Sequence, residues 1–169
     1  VEYLTCPFDE YTNKPLLAGT GRKQERENYL ISGVHCDVDS FGAECIEVNR
    51  LYGKNNSVKD VKAHHYIISF EPNDPITMEQ ALEFGKQWLK VFAPGHQAVV
   101  AVHPDGHNGS QNMHVHMVIN SVRKYAGKQS RWHEKPCEWK QGCKHKSTGK
   151  MMFHAKKWVM EKCIRLGFG

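Results

Sequence analysis

The sequence predicts an α+β fold, a two-layer sandwich in which an antiparallel sheet carries helices packed mainly on one face. Three observations lead there. Apolar residues at helical spacing recur in three separate stretches, and short apolar or alternating runs lie between them. Two of those runs, QAVVAV at 97–102 and HVHMVIN at 114–120, are joined by only about ten residues, enough for an antiparallel pair and few for a parallel crossover. The 169 residues, 40% hydrophobic and 24% charged, suit one domain with one core.

Taken in order, residues 5–28 are polar and broken by Pro7, Pro15, Gly19 and Gly21, which predicts an exposed connection. From Ser40, the positions Phe41, Cys45, Val48 and Tyr52 step by four, three and four, one face of a helix that Gly53 ends. HHYIISF at 64–70 alternates, with Tyr66, Ile68 and Phe70 on one side and His65, Ile67 and Ser69 on the other, so it reads as a strand closed by Pro72. Thr77 to Gln80 has the form of a capping box, and Met78, Ala81, Leu82, Gly85, Trp88, Leu89 and Phe92 continue at helical period up to Pro94 and Gly95. QAVVAV is a short apolar strand and 104–112 a glycine-rich loop. In HVHMVIN, Val115, Met117 and Ile119 point to the core, while His114, His116, Val118 and Asn120 point away. A last helix from about Thr148 carries Met152, Ala155, Val159, Cys163 and Leu166 and ends at Gly167.

Charge is unevenly placed. Residues 123–169 hold 13 basic side chains against 3 acidic ones, whereas the remainder is net acidic, so a polyanion is the expected partner of the C-terminal third. With no run of 18 apolar residues and no signal segment, neither a membrane span nor secretion is supported, and a cytoplasmic location is expected. Six cysteines without framework spacing then read as reduced thiols. The chain starts at Val1 rather than methionine, which points to a processed product or a fragment of a longer protein.

Eleven histidines are a surplus that calls for chemistry. Period-two geometry puts His114 and His116 on one face of a strand, their side chains about 7 Å apart along it, a good metal half-site. If the flanking strands pair around the 104–112 loop, His103 comes level with this pair. Three neutral imidazoles leave coordination positions open, as a catalytic metal requires. The competing reading is that strand histidines merely cover a solvated sheet face. Cys137, Cys143 and His145 have spacing poorly suited to structural zinc. Trp132, Trp139 and Trp158, interleaved with lysines, are candidates for stacking on single-stranded bases, with core packing the alternative at Trp158 and the better reading at Trp88.

At these residues a resemblance emerges. HPDGHNGSQNMHVHMVIN at 103–120 resembles the third motif of the relaxase/mobilization nucleases, HUH-type enzymes that nick plasmid or integrative-element DNA at an origin of transfer. HHYIISFEPNDPIT resembles their second motif, YLISGVHC the segment between the first and second, and KPCEWKQGCKHKSTGKMMFHAKKWVMEKC the stretch that follows in relaxases of Gram-positive integrative elements. The likeness runs from Tyr3 to about Gly169 and implies a single relaxase domain of HUH endonuclease-like fold.

The resemblance further implies a tyrosine that attacks the scissile phosphate and stays joined to the 5′ end of the nicked strand. Beside it, three histidines would hold a divalent metal, Mg²⁺ or Mn²⁺. By position His103, His114 and His116 are the ligands, Asp105 an orienting carboxylate and Ser69 a DNA-contacting hydroxyl. Tyr3, in VEYLTCP, is the nucleophile because Pro7 follows at the matching distance, with Tyr11 its competitor. Asn120, Arg123, Lys144, Lys146 and Lys150 are expected to contact DNA. The partners implied are single-stranded or hairpin DNA at an origin of transfer and an accessory DNA-binding protein. Two other readings stay open: a truncated domain that binds origin DNA without nicking it, and a three-histidine hydrolase of small phosphate esters, which the broad basic surface disfavours.

Overall fold

In a computed structural model the chain forms, in order, a helical turn α1 (Glu2–Thr5), strand β1 (Leu30–Val34), helix α2 (Phe41–Leu51), strand β2 (Ala63–Ser69), helix α3 (Met78–Phe92), strands β3 (His96–His103) and β4 (His114–Arg123), and helix α4 (Gly149–Leu166). The structure describes residues 2–5, 14–15, 17–18, 20, 28–104, 112–135 and 137–168, with Glu2 and Tyr3 described by backbone alone. Tyr11, Asp105 and His107, and most of the 5–28 connection, lie outside the described residues.

The four strands make one antiparallel sheet in the order β1-β3-β4-β2. β3 and β4 form the central hairpin and are almost wholly buried, whereas β1 and β2 are edges. This is the α+β antiparallel architecture expected from the sequence, and the two longest helices share one face. There Val100, Val102, Val115, Met117 and Ile119 meet Phe84, Trp88 and Leu89 of α3, with Met151 and Ala155 of α4 completing the main core. Gly85 allows the close approach of α3, since a Cβ on it would lie 2.6 Å from a methyl of Val115 and 3.0 Å from one of Val100.

The opposite face is covered as well. Leu4 of α1 and Phe41 of α2 pack on Val99 and Ala101, with Cys45 and Val118 alongside. Continuous burial of β3 follows from this double cover, and its apolar run at 98–102 is the signature of a strand with no wet face.

Local chemistry explains the helix ends. Thr77 and Gln80 make both bonds of the capping box, Gln80 N to Thr77 Oγ1 at 3.2 Å and Thr77 N to Gln80 Oε1 at 2.9 Å. Thr148 caps α4 by accepting from Met151 N at 3.1 Å. Gly167, left-handed at φ 75°, turns the chain so that Phe168 N donates to Cys163 O at 3.0 Å, and Phe168 folds back on the core. One strand lies where no element was expected, and one expected helix position is corrected. β1 pairs with β3 although its sequence, LISGV, carries no clear period. In α4 Met151 and Ala155 are buried and Met152, Trp158, Val159 and Cys163 pack half-buried on the core, whereas Leu166, expected on the packed face, is exposed.

Candidate metal centre

The β3–β4 register places His103 directly opposite His114, and His116 follows two residues later on the same face of β4. All three rings are buried, at 0%, 6% and 1% exposure respectively. Ring centroids are 5.3 Å apart for His103 and His114, 4.7 Å for His103 and His116, and 4.8 Å for His114 and His116. One ring nitrogen from each lies within 4.8 Å of the others, and among the described residues this is the one group of three metal-ligating side chains so close.

The atoms behind the rings decide which nitrogen each presents. His103 Nε2 donates to the Leu4 carbonyl at 2.7 Å, and His114 Nδ1 donates to the Asn112 carbonyl at 3.0 Å. A carbonyl can only accept, so those nitrogens carry the protons and the lone pairs fall on His103 Nδ1 and His114 Nε2. His116 Nδ1 lies 2.9 Å from Nε2 of His65 on β2, with the two rings nearly stacked. When His116 is the donor, its buried Nε2 carries the lone pair. Partial burial of its ring, on a residue otherwise open to solvent, holds His65 below its ordinary histidine value, which keeps it a neutral ring able to accept. The donor set is therefore two imidazoles backed by carbonyl acceptors and a third, His116, that is backed in the same way when His65 accepts, the arrangement found behind metal-ligating histidines. It fits a divalent transition ion.

The remaining predicted residues distribute around this centre. Tyr3 belongs to the same helical turn as Leu4, whose carbonyl holds His103 and whose side chain packs on β3. Ser69 is exposed at the end of β2, paired with His114, and Ile67 pairs with His116. Lys144 and Lys146 follow the far end of β4, where Val122 bridges Lys144. At about 3.3 Å per residue, Val122 stands roughly 20 Å along the strand from His116. Lys144 approaches Asp60 at 3.6 Å and Lys146 approaches Glu138 at 3.3 Å, while Lys150 is exposed in the first turn of α4.

Two residues expected to contact DNA are instead interior. Asn120 is 1% exposed; its amide donates to Gln97 Oε1 at 3.1 Å and accepts from Val122 N at 3.3 Å. Arg123 is 2% exposed, and its guanidinium donates to the carbonyls of Pro94 and Glu138. Burial pulls Arg123 down to about 10, so it stays charged at neutral pH and clamps two loops together. Their surroundings, brought in by tertiary contact, leave neither side chain a surface to offer DNA.

A second histidine group absorbs part of the surplus. His96 Nδ1 donates to the Asn120 carbonyl at 2.8 Å, and His145 Nε2 lies 2.8 Å from the Tyr66 hydroxyl. Burial, reinforced by neighbouring charge, pushes His145 down to about 3 and His96 well below its ordinary value. Cys137, Cys143 and His145 do not gather into a metal-holding group. Trp158 and Trp132 pack on the core, Trp158 edge-on to Phe84 and Trp132 against Phe92, so core packing prevails at Trp158; Trp88 is buried as expected. Sequence reasoning missed His65 as the partner of His116. The available signal was parity, since His65 shares a strand face with Ile67 and Ser69.

Comparison with known proteins is consistent with this geometry. The family model for the relaxase, MobA/VirD2-like, nuclease domain matches residues 11–148. Protein rlx of Staphylococcus aureus is 37% identical over 97 residues, which cover 57% of this chain and 28% of that protein. The group II intron-interrupted relaxase LtrB of Lactococcus lactis subsp. cremoris is 40% identical over 99 residues, 58% of this chain and 15% of that protein. The aligned part is thus less than a third of either relative. No solved structure matches the chain.

Proposed function

Because the chain belongs to the relaxase family, as a MobA/VirD2-like nuclease domain, we propose that it nicks one DNA strand at an origin of transfer and remains joined to the 5′ end through a tyrosine. The observation that carries this reading is the convergence of His103, His114 and His116, with His103 hydrogen-bonded to the helical turn that contains Tyr3.

In this reading His103 Nδ1, His114 Nε2 and His116 Nε2 hold a divalent ion. The ion, when bound, draws charge from the phosphoryl oxygens of the scissile group. Three imidazoles favour Mn²⁺ over Mg²⁺ by ligand preference, with abundance deciding use in the cell. Tyr3 attacks through its phenolic oxygen: a phosphorus–oxygen bond to tyrosine forms, the bond to the 3′ oxygen breaks, and a 3′ hydroxyl leaves. Asp105 orients the proton transfer from the phenol. Ser69, exposed beside His114, binds the strand near the scissile phosphate.

Lys144, Lys146 and Lys150 hold flanking phosphates, an assignment supported by the 13-to-3 excess of basic side chains over residues 123–169. The substrate is single-stranded or hairpin DNA, and an accessory DNA-binding protein is the expected partner at the origin. Work on such DNA belongs in the cytoplasm, and among the described residues no helix is long and apolar enough to cross a membrane.

The test is incubation with origin-bearing single-stranded DNA and Mn²⁺ or Mg²⁺, read on a denaturing gel. A protein–DNA adduct is the expected result. Sequence-specific binding without adduct would overturn the nicking reading in favour of a domain that only recognises the origin.

A further inference from the structure

We infer that His65 is a positioning residue that sets the tautomer of His116 and thereby decides whether the triad can bind its ion. The inference rests on the metal reading of the triad.

Two rings share one proton. His65 Nε2 and His116 Nδ1 are 2.9 Å apart, and one of them must supply the proton. If His65 donates, His116 Nδ1 holds the lone pair, its proton resides on Nε2, and Nε2 cannot ligate. If His116 donates, its proton is on Nδ1 and Nε2 faces the ion as a base. The two tautomers are locked together by a single hydrogen bond, and only one combination completes the triad.

Among the described residues, the other two ligands bond to the main chain. His103 and His114 bond to the Leu4 and Asn112 carbonyls, which accept and never donate, so the main chain dictates their tautomers. His116 leans on a side chain that can play either part. That side chain comes from β2, an edge strand, and it is exposed where the three ligands are buried. His65 shares its strand face with Ile67 and Ser69, which pair with His116 and His114. The support for the third ligand therefore stands on the open side of the centre, next to where substrate would lie.

The experiment uses the full chain with two substitutions. His65→Gln keeps a carbonyl oxygen near the position of the ring nitrogen; His65→Leu keeps bulk and removes the acceptor. Mn²⁺ binding is measured by isothermal titration, and the ring ¹⁵N shifts of His116 are recorded in metal-free protein. His65→Leu should weaken Mn²⁺ binding roughly 10- to 100-fold, the usual effect of losing the partner behind a ligating histidine. It should also move the His116 proton from Nδ1 toward Nε2, while His65→Gln restores both readouts to within a few-fold of the parent.

Unchanged Mn²⁺ affinity in His65→Leu, or equal loss in both variants, would overturn the inference. Should the parent itself fail to bind Mn²⁺, the metal reading of the triad falls, and the ¹⁵N shifts alone decide whether His65 sets the His116 tautomer.

Discussion

His103 and His114 are direct cross-strand partners, the last residue of one central strand facing the first of the next. The ladder between them sets the ligand geometry, because a slip of one residue would turn His114 and His116 onto the α3 face. Val115, Met117 and Ile119 hold the opposite parity in the main core, so register and histidine triad are fixed by the same packing.

Replacing His114 or His116 by alanine should abolish metal-dependent nicking while leaving DNA affinity within a few-fold. Ligands of a catalytic ion act on the chemical step, whereas affinity comes chiefly from phosphate contacts. Gel assays of cleavage beside filter or anisotropy binding would check it; full nicking by either variant removes the metal assignment.

For the proposed nucleophile, Tyr3→Phe should eliminate the covalent adduct and retain DNA and metal binding, since only a hydroxyl is lost. An ordinary tyrosine has a pKa of about 10 and is a poor nucleophile at neutral pH without help. The bond from His103 to the Leu4 carbonyl ties the turn containing Tyr3 to the centre that would give such help. Tyr11→Phe should leave the adduct intact, and the reverse result would reassign the nucleophile.

Salt dependence separates the basic residues into two kinds. If four to six lysines and arginines touch phosphates, log affinity for single strands should fall against log salt with a slope of about −3 to −4. Charge reversal at Lys144, Lys146 and Lys150 should flatten it. Arg123→Met should leave the slope alone and lower stability by about 2 kcal/mol, because buried carbonyls of Pro94 and Glu138 lose their donor. Urea titration gives the second number. A slope insensitive to the three reversals would show those lysines to be solvated surface.

Acidification should destabilise the fold through His96 and His145. Both are held below the ordinary histidine value of 6.5, His145 at about 3, by burial first and then by charges on Arg123 and neighbouring histidines. A depressed folded value means that the unfolded chain takes up the proton first. The stability is thus complete above about pH 6.5 and is lost as pH falls toward 3. For His145 alone the loss at pH 5 is about 2 kcal/mol. Thermal melts between pH 7.5 and 4.5 should show the decline, and His145→Gln, which can still meet the Tyr66 hydroxyl, should make it shallower. Parallel curves for parent and variant would refute the role of His145.

What could be read in advance was mostly local. The capping box at Thr77 and Gln80 involves residues three apart, and the strand alternation that groups His114 with His116 needs only the period of a strand. β1 escaped because five half-buried residues with a glycine leave no period, and its strand character comes from pairing with β3. Alternation puts Asn120 on the outward face of β4 and Arg123 counts with the basic stretch from 123, but neither signal shows what covers them. Their partners Gln97, Pro94 and Glu138 are distant in sequence. In α4 the helical period found Met152, Ala155, Val159 and Cys163, but it carried the packed face on to Leu166, which lies beyond the core. The parity of His65 was visible, but that His116 is its partner depends on the β2–β4 register.

The supports behind His103 and His114 are peptide oxygens, and this has a practical outcome for anyone dissecting the centre. No codon change at Leu4 or Asn112 deletes a carbonyl, so a side-chain scan would score both positions by their packing and leave their electronic contribution silent. A thioamide installed at Leu4 by semisynthesis, which weakens the acceptor while preserving the leucine, would make that hidden contribution measurable.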